Sequence, residues 1–448
     1  MSLRIRLEDL SKEELIEIIK EKIKEIEKLK KEKENLEKDL NKYKNSNTPS
    51  SANKHLQPNT QGKQIKNGAK RGAPKGHRGT TRYQVPTRKE VIDATRCPNC
   101  NSTNLKDKKI IKQVVEEIPE PVIPETIETE IHIKECLDCN FEFIPPNNTT
   151  PLKGKFGINL MVLIVFIKFI LRGVLRKTGC FLKIGFAFSI TPASINTIVK
   201  RVADAAESEY EKLKAEIRKS TLVYVDETSF SVLGKKWWVW VFRTENSSVL
   251  VIRPSRGSNV LREVLGEDYS GIVICDCWRA YNFLINALLQ RCWAHLLRKS
   301  KEFCKTVLGN HLHNKLEALF KEIKEFNEKD PTDKQRQRKY KQMTIELEKI
   351  VIYYSRYSHL NGIVGYINNN LENWFTCIKV EGVEPTNNFA ERAIRETVMI
   401  RKIIGAFRSQ TGPQNYEILA SLLATWQIQE LDIKTQLKQM LTKNLCFS

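Results

Sequence analysis

The chain has 448 residues, and its 74 lysines and arginines against 53 acidic residues give a formal charge of +21. This length is enough for about two to four domains, so a small peptide-like scaffold without a substantial core is excluded. The charge favours polyanionic partners, and because the basic residues are clustered, nucleic acid is a better interpretation than a uniformly basic soluble surface.

The N-terminus is a charged segment without the apolar core of a secretory signal, and we therefore expect a cytoplasmic protein. The one membrane-like stretch, residues 160–170, contains Lys168 and is shorter than the ~20 apolar residues that a span requires, so it predicts a buried helix. Eleven cysteines in a reducing compartment favour a metal site over a disulfide framework.

Residues 11–44 consist mainly of Lys, Glu, Leu and Ile, with apolar residues at the a and d positions of a heptad. These are Leu15, Ile19, Ile26, Leu29, Leu36, Leu40 and Tyr43. The pattern predicts a coiled-coil helix over residues 1–44 that acts as a dimerisation arm, with Lys22 and Lys33 as core exceptions that limit its stability. A single solvated charged helix is the alternative.

We predict a basic flexible linker over residues 45–95. The segment from Lys44 to Lys89 contains no acidic residue, and its apolar surface is too small to offset the entropy of ordering. The most basic part could hold DNA phosphates or enter a minor groove. Its candidate DNA-binding residues are Lys70, Arg71, Lys75 and Arg78. A plain linker has the same composition.

Residues 96–145 contain two Cys-x-x-Cys pairs, formed by Cys97, Cys100, Cys136 and Cys139. Two thiolate pairs can close a tetrahedral Zn²⁺ site, and the binding free energy would fold a module too small to fold alone. The pattern therefore predicts a structural zinc-binding module, although the intervening segment is longer than in the commonest patterns. The alternation of Ile127, Thr129, Ile131 and Ile133 predicts a β-hairpin between the pairs.

We predict helices over residues 150–218. Within this region, residues 182–201 resemble a DNA-binding helix-turn-helix. Thr191 can cap the second helix, Pro192 suits its first position, and Ile195, Ile198 and Val202 would face inward, with Gly185 near the end of the first helix. The residues offered to a DNA groove would be Ser194, Asn196, Thr197, Lys200 and Arg201. An ordinary helical hairpin has similar patterning.

From residue 219 onward the pattern is that of a mixed α/β domain. Strands are predicted at 221–225, 236–243, 248–252, 272–275 and 289–295, with a helix at 259–265 between the third and the fourth. Three strands in succession followed by alternating helix and strand predict an RNase H-like catalytic core over residues 219–410. Residues 297–384 form a helical insertion in that core, and residues 411–448 a C-terminal helical segment.

Three acidic residues stand out in this domain. Asp226 and Asp276 end the first and fourth predicted strands, where an RNase H-like fold carries two acids, and Glu391 lies in a predicted helix that runs to about Ile404. Asn387 or Asn388 would cap that helix, and Ala390, Ile394 and Val398 would be its buried residues. Carboxylates from distant segments suit two Mg²⁺ or Mn²⁺ ions roughly 4 Å apart, which clamp a phosphodiester.

The flanking residues Arg392 and Arg395 are candidate DNA contacts, and Arg395 could instead pair with Glu391. Each acid also has a simpler interpretation, since an Asp at a strand end is often a turn residue and a Glu in a basic helix is often half of a surface ion pair. Their joint placement in a basic chain favours catalysis.

Four blocks of the sequence resemble signatures of the IS66 family of transposases. They are Val225-Asp226-Glu227-Thr228, Cys275 to Tyr281, Arg291 to Lys299, and Asn387-Asn388-Phe389-Ala390-Glu391-Arg392. The resemblance implies that Asp226, Asp276 and Glu391 form a DDE triad that cuts transposon ends and joins them to target DNA. It also implies a prokaryotic, nucleoid-associated protein that binds terminal inverted repeats, and some members of the family work with small accessory proteins. The predicted coiled coil favours a homodimer or higher oligomer.

His295 belongs to the third block and has two interpretations: it orients the active site or touches DNA, or it is a hydrogen-bonded histidine at a strand end. Two other functions stay open for the chain as a whole. One is a catalytically silent DNA-binding regulator or decayed transposase, and the other is a structure-specific nuclease of RNase H type.

Overall fold

The computed structural model describes residues 150–446 continuously. Before them it describes residues 96, 99–103, 124–135, 137–139 and 142–143, together with helical residues between 23 and 35. The chain divides into two compact units, Pro49–Pro124 and the remainder of the chain, Met1–Thr48 with Glu125–Ser448. The basic linker with Lys70, Arg71, Lys75 and Arg78 lies outside the described residues, as do Cys97 and Cys136.

The predicted β-hairpin around residues 127–133 is wrong in extent. The described strands are β1 (Lys134–Glu135) and β2 (Glu142–Phe143), which pair antiparallel on either side of the second Cys-x-x-Cys pair. The side chains of Ile127 and Ile133 are 70% and 58% exposed. Because a strand is stabilised by packing as well as by alternation, these exposed residues do not extend the ladder.

Between residue 150 and the central sheet lie three helices: α1 (Ile158–Val165), which continues as a π-helical turn, α2 (Leu175–Phe186) and α3 (Pro192–Lys219). Helix α1 is buried, as predicted from its apolar sequence, and burial lowers the pKa of Lys168 in the turn that follows. In the described part of the chain, no helix has the length and apolar character needed to cross a membrane.

Helix α3 begins as predicted. The hydroxyl of Thr191 accepts a hydrogen bond from the Ser194 amide at 3.1 Å, and Pro192 occupies the first turn, where its missing amide hydrogen costs nothing. The three residues predicted to face inward are all buried: Ile195, Ile198 and Val202.

The chain is a mixed α/β protein with a central mixed sheet. Its strands are β3 (Leu222–Val232), β4 (Lys235–Arg243), β5 (Ser248–Arg253), β6 (Ile272–Cys275), β7 (Leu288–Arg291) and β8 (Ala406–Phe407). Their order is β5-β4-β3-β6-β7, with β8 on the far end of β3. Strands β3, β4 and β5 are antiparallel neighbours, whereas β6 is parallel to β3 and β7 is parallel to β6. Helix α4 (Ser258–Leu265) connects β5 to β6.

Two predicted strand ends differ from the structure. Strand β3 continues six residues past Asp226, because its ladder with β4 runs on to the pair Val232–Lys235, where Leu233 and Gly234 with φ of 49° and 75° form a tight turn. Asp226 is therefore in the middle of a strand. Strand β7 ends at Arg291, and His295 lies in the first turn of the next helix instead of at a strand end.

The remaining helices are α5 (Trp293–Lys301), α6 (Val307–Asn327), α7 (Asp333–Tyr354), α8 (Asn361–Asn368), α9 (Thr376–Lys379), α10 (Asn388–Ile404), α11 (Thr411–Ile428) and α12 (Ile433–Cys446). Residues of α1, α3, α4, α11 and α12 share one hydrophobic core with β3 residues such as Val223 and Val225. Residues of α5 to α9 share a second core with Tyr224 and Ile274. Alternating side chains of β3 thus serve the two faces of the sheet.

Helix α11 covers the outer edge of β5. The amides of Ser248, Leu250 and Ile252 donate to Thr425, Ser421 and Glu417 at 3.1, 2.8 and 2.6 Å. Four helical residues advance about 6 Å and two strand residues about 6.8 Å, so the two periodicities match along this contact. The exposed donors that an edge strand would otherwise offer to another chain are thereby satisfied.

Candidate active site

The two aspartates occupy equivalent positions in the pairing of β3 with β6, Asp226 within β3 and Asp276 directly after β6. Strand β3 pairs with β6 in a register that sets Tyr224 against Ile274. Asp226 and Asp276 each come two residues later, and Asp276 directly follows β6, as predicted. Because adjacent strands are about 4.8 Å apart, this register brings both acids to the same region of the sheet.

Glu391 is carried by a helix whose start is tied to β3. The side-chain amide of Asn387 donates to the carbonyl of Val225, the residue before Asp226, at 2.7 Å. The backbone amide of Asn387 donates to the sulfur of Cys292 at 3.2 Å, and Glu391 follows one turn later in α10. The position of the third acid relative to the first is therefore set by this short connection.

The predicted capping role of Asn387 is only partly correct. Asn387 occupies the residue before α10, but its side chain makes no capping hydrogen bond and is used to hold β3 instead. Ala390 and Ile394 are buried as predicted, whereas Val398 is only partly buried, and Thr397 and Ile400 complete the inward face.

The electrostatics of Asp226 reflect the other acids. Burial raises the pKa of Asp226 to about 8, and the negative charges of Glu227, Asp276 and Glu391 act in the same direction. The Glu227 amide, which donates to Asp226 Oδ1 at 3.0 Å, opposes this effect. Mutual repulsion among carboxylates requires their charges to be close, so these acids form one electrostatic cluster.

Asp276 is oriented by its surroundings. Its Oδ1 accepts a hydrogen bond from the Trp278 amide at 2.8 Å, and its Oδ2 lies 3.8 Å from Nη2 of Arg256. The buried side chain of Arg291 donates to the Asp276 carbonyl at 2.5 Å. Both the backbone and the carboxylate of this residue are thus held in place.

Glu391 faces residues of α5. Its Oε1 lies 3.6 Å from Nδ1 of His295 and 3.8 Å from Nη2 of Arg298. Burial lowers the pKa of His295. Of the two alternatives for Arg395, the ion pair with Glu391 is not found within residues 150–446, and Arg395 is exposed.

Cys292, His295 and Glu391 form a second possible ligand group, with one donor atom from each lying within 4.8 Å of the others. Three buried polar atoms in this area have no hydrogen-bond partner: Asn387 Oδ1, His295 Nδ1 and Glu391 Oε1. Buried polar atoms ordinarily have partners, so this area suits a bound cation or ordered water. The carboxylates of Asp226, Asp276 and Glu391 suit Mg²⁺ or Mn²⁺, whereas the sulfur and imidazole suit a softer ion.

The other described candidate residues are exposed or make contacts of their own. Lys200 pairs with Asp204 at 2.6 Å, and the guanidinium of Arg201 lies against Gly154. Arg392 is exposed over the ring of Phe389. Cys100 and Cys139 are exposed.

Two cavities lie elsewhere in residues 150–446. One of about 800 Å³ lies between α6 and α7, and one of about 600 Å³ lies beside α10 and α11. The three acids line neither of them.

Sequence reasoning missed two residues beside the acids, Glu227 and Arg256. Glu227 follows Asp226 directly and its side chain is fully buried against Arg256. Glu227 stands in the first of the four family blocks, and that block is the sequence signal that could have identified it.

The model of the family described as Transposase IS66 family matches residues 153–415, which is more than half of the chain and includes both aspartates and Glu391. No curated protein matches the chain. The matched segment begins before α1 and ends within α11, so it spans the whole central sheet. The chain belongs to the IS66 family of transposases.

Proposed function

We propose that this chain is the DNA transposase of an insertion sequence, which cleaves transposon ends and transfers them to target DNA with Asp226, Asp276 and Glu391 as its catalytic acids. The observation that carries the proposal is the common register of the two aspartates together with the tie from Asn387 to Val225, one turn before Glu391. The charges of Asp276 and Glu391 both raise the pKa of Asp226, which supports one shared site.

The catalytic domain is, in this proposal, an RNase H-like fold over residues 219–410 with a helical insertion at 297–384. Support comes from the strand order, in which three antiparallel strands are followed by two parallel ones. The first acid lies on β3, the second follows β6, and the third lies on the helix after the insertion.

The residues fit a pair of divalent cations, Mg²⁺ or Mn²⁺, because three carboxylates from separate segments offer the oxygen ligands that these ions prefer. When bound, such cations stabilise the charge that develops on the attacking and leaving oxygens of a phosphodiester. The Trp278 amide holds the Asp276 carboxylate in one orientation, and Asp226 must release its proton before it can act as a ligand.

The DNA contacts in this proposal are Lys70, Arg71, Lys75, Arg78, Lys200, Arg201, Arg392 and Arg395. Arg392 and Arg395 are supported by their exposure on the helix that carries Glu391. Residues 150–218 would form a helix-turn-helix-like DNA-binding region. Arg392 and Arg395 would hold phosphates through charge and without reading sequence.

Two modules would support assembly on DNA. A structural Zn²⁺ held by Cys97, Cys100, Cys136 and Cys139 is supported by the turn at residues 137–139 between β1 and β2, which resembles a zinc knuckle. A dimeric coiled coil over residues 1–44 is supported by Ile26 and Leu29, which are helical and 51% and 57% exposed. Accessory proteins and target DNA would complete the assembly.

The test is an assay with labelled transposon ends, target DNA and Mg²⁺. Joined products are expected from the wild-type protein, and Asp276→Ala should abolish them while DNA binding persists. Glu396→Ala is the control, because Glu396 lies on the helix that carries Glu391 but pairs with Arg172 at the surface. Cleavage without joining would indicate a nuclease, and DNA binding alone would indicate a silent regulator or decayed transposase.

A further inference from the structure

Glu227 is a buried carboxylate next to the proposed catalytic acids. It follows Asp226 in β3, so its side chain points to the opposite face of the strand. Arg256 donates to its Oε1 from Nε at 2.8 Å, and the Tyr281 hydroxyl donates to its Oε2 at 2.7 Å. A buried charge with both oxygens hydrogen-bonded is held in one position and keeps its partner there too.

Arg256 is fixed on its other sides by two aromatic rings. Its guanidinium carbon lies 4.1 Å from the ring centre of Trp278 and 4.6 Å from that of Trp238. The indole of Trp278 also donates to the Arg256 carbonyl at 2.8 Å. A planar guanidinium in these contacts has little freedom to rotate, in contrast to an arginine in solvent.

Trp278 and Arg256 also contact Asp276. Trp278 positions one carboxylate oxygen of Asp276 through its backbone amide, and Nη2 of Arg256 lies 3.8 Å from the other oxygen while it is 2.7 Å from Glu227. An unpaired arginine at this place would attract Asp276 strongly and would repel a dication. Glu227 makes the closer contact with Arg256, and its negative charge offsets the positive charge of the guanidinium.

We propose that Glu227 and Arg256 are positioning residues that orient Asp276 for a divalent cation without competing with that cation for the carboxylate. The inference rests on the proposed function, since it assumes that Asp276 is a metal ligand. It explains why a second acid is buried beside Asp226, where it otherwise adds repulsion to the acidic cluster.

The test uses Glu227→Gln in the full-length protein, because glutamine keeps the shape and a hydrogen-bond acceptor for Arg256 but removes the charge. Mn²⁺ alone is titrated without DNA at constant pH, and its dissociation constant is measured by calorimetry. We expect Mn²⁺ to bind on the order of tenfold more weakly. Strand transfer lost at low Mn²⁺ should return at high Mn²⁺, which a merely structural defect would not allow.

Glu263→Gln is the matched control. Glu263 pairs with Arg253 at 2.5 Å, so the substitution makes the same chemical change in a neighbouring ion pair that does not involve the three acids. Mn²⁺ affinity should be unchanged in this variant. Arg256→Lys keeps the charge but loses the planar fork and stacking, and it should also weaken Mn²⁺ binding.

The variant Asp276→Asn distinguishes a failure of the positioning role from a failure of the proposed metal site. If Asp276→Asn loses Mn²⁺ affinity but Glu227→Gln binds Mn²⁺ as wild type does, the positioning role is wrong and the metal site stands. If Asp276→Asn binds Mn²⁺ normally, Asp276 is not a ligand, and both the proposed site and the positioning role fall.

Discussion

The hydrogen bond between Asn387 and Val225 predicts how the third acid is kept in place. Asn387 is fully buried, and its side-chain amide donates to the Val225 carbonyl at 2.7 Å. Replacing Asn387 with alanine removes this hydrogen bond. The bond joins Val225, which precedes Asp226, to Asn387, which lies one turn before Glu391. We expect the start of α10 to shift relative to β3.

The expected loss of stability follows from the contacts of the Asn387 side chain. Leaving the Val225 carbonyl without its partner costs about 1–3 kcal/mol, and the space left by the amide adds to this. Asn387 Oδ1 has no hydrogen-bond partner among the described residues, so its removal offsets part of the loss. The free energy of unfolding should therefore fall by about 2 kcal/mol, which leaves a typical domain folded.

The effect on activity should be larger than the effect on stability. A displacement of about 1 Å in a catalytic group can cost about 10²-fold in rate, and we expect a loss of that order in strand transfer. Stability is measured by urea unfolding, and transfer is measured under conditions in which the variant is fully folded.

Asn388→Ala is the matched control, because Asn388 is the next residue, is exposed, and should change stability by less than about 0.5 kcal/mol. If Asn387→Ala matches Asn388→Ala in both unfolding and transfer, the tie between α10 and β3 does not position Glu391, and the reasoning is refuted.

Three further predictions concern stability and metal content. Ser421→Ala leaves the Leu250 amide unpaired at the covered sheet edge and should cost about 1–3 kcal/mol in urea unfolding with little change in transfer at full folding, and a loss below 0.3 kcal/mol would contradict it. Burial raises the pKa of Glu417 from 4.5 to about 7. Glu417 therefore stabilises the folded protein fully below pH 4.5, and this contribution is lost as the pH rises through 7. The free energy of unfolding should fall by about 3 kcal/mol over this range. Glu417→Gln should remove this pH dependence, and parallel pH profiles of the two proteins would show that another group is responsible. Atomic emission should find one Zn²⁺ per chain and none after Cys100→Ser, whereas equal zinc content in both would exclude the cysteine site.

Several local features were predictable because neighbouring residues decide them. The strand at 272–275 has the predicted bounds, and the start of α3 at Thr191 and Pro192 follows from capping chemistry that acts within one turn. The extent of β3 was not predictable, because its second half is stabilised by pairing with β4 and not by an apolar run. His295 likewise lies in a helix because β7 ends at Arg291, where its ladder with β6 ends.

The amino-acid sequence by itself determined the mixed α/β class, the basic character and the family, because composition, periodicity and motif order are properties of the chain in one dimension. Only the tertiary structure decided that Asn387 bonds to β3 instead of capping its own helix, and that Glu227 is buried against Arg256. Both contacts join residues far apart in the chain or on different elements. Such pairings depend on how the sheet and helices pack, and no local pattern encodes them.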